Sequence, residues 1–159
     1  MTVATNPMTI TTPADRQMRV ERTFDAPRDQ VWRAWTEPDL IKQWWGRGRM
    51  LTIERMEVRK GGHWRFLVEG DRGTEGFEGR YREVTPPHHF TWTFEWDGMP
   101  GYVIIERIEL IDLGNNRTKV VTTAHFFTNE ERDGFMMSGV EKGMGESYLA
   151  LDRLLAGME

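Results

Sequence analysis

The chain has 159 residues, a length that fits one domain. Apolar residues make up 38% and charged residues 29%, so a globular core can form without a metal or disulfide staple. There is no cysteine, the net charge is −4 and the pI is about 5.6. That excludes a disulfide scaffold, a zinc–thiolate or iron–sulfur site, a cysteine nucleophile and a nucleic-acid binder held by a basic footprint.

No apolar run approaches the ~18 residues of a membrane span. The first residues show no basic region followed by an apolar stretch, so the expectation is a cytoplasmic protein without membrane insertion. Residues 1–17 are rich in Thr, Pro and Ala, carry no apolar period and read as a flexible N-terminal arm before a single domain over 18–159. In Met18–Phe24, Met18, Val20, Arg22 and Phe24 share one face, the alternation of a half-buried strand. Pro27 opens a short helix carrying Val31, Trp32 and Trp35, with Asp25 or Ala26 as its cap. Glu37-Pro38 breaks it, and a second short helix runs from Asp39 to Trp45.

Strands and turns follow. Met50–Arg59 and His63–Glu69 flank the Lys60-Gly61-Gly62 turn. Glu75–Thr85 contains Gly76 and Gly79, which predict a bend or bulge. Phe90, Trp92, Phe94 and Trp96 alternate with polar residues and occupy one face of a strand. Val103–Leu113 and Thr118–Phe127 form a last hairpin about Gly114-Asn115-Asn116. Thr128-Asn129-Glu130-Glu131 is a capping box. From Met137 onward Val140, Met144, Tyr148, Leu151, Leu155 and Met158 form one stripe of a long closing helix. Gly139, Gly143 and Gly145 interrupt it near one end, which predicts a bend or a close approach to another segment. Six meandering strands make one antiparallel sheet, and the closing helix is the element large enough to cover its apolar face.

Several motifs, in this order, resemble the START-like (SRPBCC) superfamily and, within it, the activator-of-heat-shock-protein-90-ATPase homologues. They are Phe24-Asp25-Ala26-Pro27 before Val31-Trp32-Arg33-Ala34-Trp35, then Leu40 with Trp44-Trp45-Gly46, then Arg59 to Phe66. Gly79 to Val84 before Pro86-Pro87, Trp92-Thr93-Phe94 and Leu151-Asp152-Arg153-Leu154 complete the set. The resemblance covers about residues 18–157. It implies an α+β helix-grip fold: a curved seven-stranded antiparallel sheet wrapped around a long C-terminal helix, with two short helices after the first strand and an apolar cavity between sheet and helix. Relatives often show an aspartate where the Glu57-Val58-Arg59 turn begins, and a glycine–tryptophan pair where this chain has Gly143-Met144-Gly145.

A cavity so placed would take a small hydrophobic molecule. Its expected lining is Trp44, Trp45, Trp64, Phe66, Phe90, Trp92, Phe94, Trp96, Glu106, Met144 and Tyr148. The aromatic face Phe90–Trp96 is either the cavity floor or solid core, and Trp64 and Phe66 extend it or fill it. Of the adjacent Trp44 and Trp45, one is expected on the sheet edge and the other at the cavity mouth. Glu106 interrupts an apolar run. Facing inward it would be a buried acid, and facing outward, the favoured reading, an ordinary surface charge. His63, His88, His89 and His125 lack metal-ligand spacing, so neither a metal nor a cofactor is expected. Ser138 and Ser147 lack a nucleophile context, and no phosphate-cradling loop is present. No catalytic residue is assigned. Two alternatives follow from the resemblance: a co-chaperone-like ATPase activator with a chaperone partner, or a polyketide cyclase/dehydratase-type enzyme using Glu106 or His125 for proton transfer. An exposed sheet edge makes a homodimer plausible.

Overall fold

The computed structural model describes residues 6–158. Its elements run β1 (Thr9–Thr11), β2 (Gln17–Phe24), α1 (Arg28–Thr36), α2 (Pro38–Ile41), β3 (Leu51–Met56), β4 (His63–Gly70), β5 (Gly73–Thr85), β6 (His89–Trp96), β7 (Ile104–Gly114), β8 (Arg117–His125), α3 (Asn129–Met137) and α4 (Val140–Ala156). One antiparallel sheet has the order β1-β2-β8-β7-β6-β5-β4-β3. Strands β3 to β8 meander, and β2 returns beside β8 over eight residue pairs, from Gln17↔His125 to Phe24↔Thr118.

The period-two patterns decide which face is buried. Met18, Val20, Arg22 and Phe24 of β2 are buried, as are Trp64, Phe66 and Val68 of β4 and Phe90 and Trp92 of β6. The opposite face carries charges matched across strands. Arg65 reaches Glu54, Glu78 and Asp97 on β3, β5 and the turn after β6, at 2.9, 2.8 and 2.7 Å. These carboxylates hold the Arg65 guanidinium above its usual range, and the same hydrogen bond holds the Asp97 carboxyl below its own.

Helix α4 lies over the concave face. Leu151 and Leu155 are buried, and Phe24 meets Tyr148 edge-on at 5.1 Å between ring centroids. Arg22, almost wholly buried on β2, donates through both terminal nitrogens to Asp152 of α4 at 2.5 Å, with its guanidinium 4.6 Å from the Phe24 ring centroid. A charge points inward here because an acid on the covering helix meets it.

Four sequence expectations change. The 1–17 segment is not wholly an arm: Thr9–Thr11 pairs with β2 at Thr9↔Glu21, Ile10↔Val20 and Thr11↔Arg19, giving eight strands and not seven. A three-residue edge strand with one apolar side chain is too short to show a period, and residues 1–5 lie outside the described part. Pro27 itself is the N-cap of α1, and no side chain caps it. The closing helix is two helices. Thr128 caps α3 by accepting from the Glu131 amide at 3.0 Å, as the capping box predicts, but Gly139 turns left-handed at φ +94° and starts α4 anew. Finally, the irregularity in β5 sits at Tyr81–Glu83 and not at its glycines. Gly79 serves a close approach: a Cβ there would lie 1.7 Å from the Thr93 carbonyl oxygen.

Candidate functional site

Between the concave face and α4 lies a cleft of about 1110 Å³, bordered also by α3, the segment after α2, the β4–β5 turn and the β6–β7 loop. That volume lies just above the range of about 300–1,000 Å³ usual for small-molecule sites. Its walls are aromatic and aliphatic. Trp45, Phe77 and Phe94 form one side, Ile104 and Ile108 the base, and Phe135, Val140 and Met144 the helical side.

Two features hold the cleft open. Gly143 faces Arg47, whose Nε would be 3.1 Å from a Cβ at that position, and the Arg47 amide donates to the Ser147 hydroxyl at 2.8 Å. The loop after α2 therefore docks on α4 through a glycine and a serine. It approaches through Gly46, Arg47 and Gly48, all left-handed. The large rings, for their part, are already paired with one another. Trp45 lies edge-on to Trp64, Phe66 and Phe77 at 6.1, 5.2 and 5.4 Å, and Trp64 stacks on Trp92 at 4.3 Å.

Eleven residues were expected at this cleft, and eight border it: Trp44, Trp45, Trp92, Phe94, Trp96, Glu106, Met144 and Tyr148. Trp64, Phe66 and Phe90 do not, because other rings cover them. Trp45 lies over Trp64 and Phe66, while Trp32 and Trp35 lie over Phe90 at 6.0 and 5.7 Å. Trp96, at the end of β6, is exposed at the rim and is not floor. Neither member of the tryptophan pair is on the sheet edge. Trp44 is buried against Trp35 and donates to the Ala34 carbonyl at 2.9 Å, and Trp45 lies across β4, β5 and β6.

Glu106 corrects the favoured outward reading. Its strand neighbour Trp92 donates from Nε1 to Oε1 at 2.8 Å, and the carboxyl lies inside the cleft. Among the described residues it pairs with no Lys, Arg or His. Burial pushes its pKa above the usual carboxylate value, against the opposing pull of the Trp92 N–H. Nearby, Trp35 Nε1 is buried without a hydrogen-bond partner, Tyr148 Oη and Thr122 Oγ1 are buried with none but each other, and all three residues border the cleft. Burial raises the Tyr148 phenol well above its ordinary value. His125 is exposed, so it brings no proton donor to this site. Trp35 and Thr122 were not anticipated as site residues. Thr122 left a signal, a lone hydroxyl between the inward Val120 and Ala124 on β8. Trp35, at helical spacing from Val31, looked like core.

The family model described as "Activator of Hsp90 ATPase homolog 1-like protein" matches residues 25–156. The chain belongs to that family. The match takes in every strand from β3 to β8 and all four helices, so the cleft lies wholly within the family domain. No curated protein matched the sequence. Among solved structures, a Rhodobacter sphaeroides protein is 28% identical, with a TM-score of 0.86, over 96% of this chain and 100% of that one. A Mycobacterium smegmatis protein gives 16% identity and 0.84 over 96% and 99%, and one from Arthrobacter aurescens 22% and 0.84 over 94% and 92%. These two show the fold alone. The fold is the START-like helix grip, with β1 as an eighth strand at the sheet edge. Among the described residues no helix is long and apolar enough to cross a membrane, and no cluster of three or more metal-ligating side chains occurs.

Proposed function

We propose that this family member binds a small, mainly apolar molecule in the cleft between sheet and α4. The observation that carries the reading is the lining itself: a large space walled by Trp45, Phe77, Phe94, Ile108 and Met144, with the buried polar side chains of Glu106, Thr122 and Tyr148 also on its lining. Apolar walls supply most of the affinity of such sites, and a small number of placed polar groups orient the ligand. The aromatic rings pack against each other without filling the space, so a guest need not displace core. His125 is exposed, which removes it as a proton-transfer partner for Glu106.

Native mass spectrometry and thermal-shift screening against uncharged aromatic and lipid-like molecules test the proposal. A one-to-one complex and a raised Tm are expected for the native chain, and both should be lost in Met144→Trp, which fills the helical side of the cleft. No complex and no shift with any such molecule, or equal binding by Met144→Trp, would count against it.

A further inference from the structure

The polar groups in the cleft are unevenly matched. Glu106 uses one oxygen to accept from Trp92 Nε1. Trp35 Nε1 has no partner, and Tyr148 Oη and Thr122 Oγ1 have none but each other, although each residue is more than nine-tenths buried. The indole can only donate; the two hydroxyls and an acid-form carboxyl each carry a proton to donate. Four groups from α1, β7, β8 and α4 therefore border one space with donors in excess. Leaving such groups unpaired is costly, so something with acceptor oxygen fits there.

Charge restricts what that can be. Arg22, whose charge is felt at Tyr148, is already held by both oxygens of Asp152 and by the Thr23 carbonyl. The cations that border the cleft, Arg47, Arg49 and Arg72, sit on loops, and Arg49 is paired with Asp71. A carboxylate placed beside Glu106 would thus meet an acid, while Arg47 and Arg72, which form no ion pair among the described residues, border the cleft from its loops.

We propose that the inner part of the cleft is a subsite for the carbonyl oxygen of an uncharged ligand, with Glu106, Tyr148, Thr122 and Trp35 as its donor set. The inference rests on the cleft being a binding site, and it names the class of guest: a neutral apolar body bearing one carbonyl acceptor. The carbonyl oxygen has two lone pairs, so two of the four donors can be satisfied directly.

The test compares benzophenone, diphenylmethane and diphenylacetate, which share two phenyl rings and differ in the linking group. Binding to the full chain is measured by titration calorimetry, and the ketone stretch of carbonyl-labelled benzophenone by difference infrared spectroscopy. Benzophenone should bind about tenfold more tightly than diphenylmethane, as expected when a site loses its acceptor, and its stretch should move to lower frequency on binding. Tyr148→Phe should narrow that gap by weakening the ketone and sparing the hydrocarbon. Equal affinity for ketone and hydrocarbon with an unshifted stretch overturns the subsite while leaving the apolar cleft intact. Tightest binding by diphenylacetate overturns the requirement for an uncharged guest. Failure of all three to bind overturns the cleft as a site, and the subsite with it. The native chain decides each of these even if Tyr148→Phe does not fold.

Discussion

Replacing Asp152 by Ala strips the one acid that pairs, among the described residues, with an arginine that has almost no contact with water. Arg22 is 3% exposed and makes two charge-assisted hydrogen bonds to Asp152 at 2.5 Å. Removing one partner of a fully buried ion pair costs about 3–5 kcal/mol. The Asp152 side chain is a third exposed, so water can replace it in part, and we expect roughly 2 kcal/mol. For a domain of this size that lowers Tm by ~4–8 °C. Urea unfolding should show the midpoint falling with the slope unchanged. Arg22→Met should restore much of the loss in the Asp152→Ala background, since the uncompensated charge goes with it. A loss below about 0.5 kcal/mol, or a double-mutant cycle with no coupling, would refute the view that this pair mounts α4 on the sheet.

Two further predictions concern glycines and acid. Gly79→Ala should cost about 3 kcal/mol or more and reduce soluble yield, because the new methyl meets the Thr93 carbonyl and the Trp64 indole. Gly145→Ala, with open space around it in α4, should instead stabilise by about 1 kcal/mol, and equal effects in urea unfolding would show the contact argument to be wrong. Glu106 has a raised folded-state pKa, so its contribution is fully present below the unfolded value of 4.5 and is lost as pH rises through the folded value. The stability of the native chain relative to Glu106→Gln should therefore decline as pH rises above the unfolded value of 4.5, and a difference independent of pH would rule out an inward, desolvated carboxyl.

Much of this could be read from local pattern. The alternation in Met18–Phe24, His63–Glu69 and Phe90–Trp96 gave strand and buried face together, because period two needs no distant partner. The capping box gave the start of α3. What could not be read depended on partners far along the chain. Glu106 turns inward because β7 pairs with β6 so that it lies opposite Trp92, a register that the run Val103–Leu113 does not encode alone. Whether Trp64 and Phe66 line a space or fill it depended on Trp45, which covers them from another element. The break at Gly139 was visible as one of three glycines, but only the left-handed turn distinguishes it from Gly143, kept small by Arg47.

Methionine methyl NMR reaches the space between sheet and helix directly. Met144 borders the cleft, Met18 is buried on β2, and Met50 is exposed on the loop after α2. Titrating labelled protein with benzophenone should move the Met144 methyl resonance saturably while those of Met18 and Met50 stay in place. A Met144 signal that does not move, or one that drifts without saturating alongside Met50, would mean that no guest enters between α4 and the sheet.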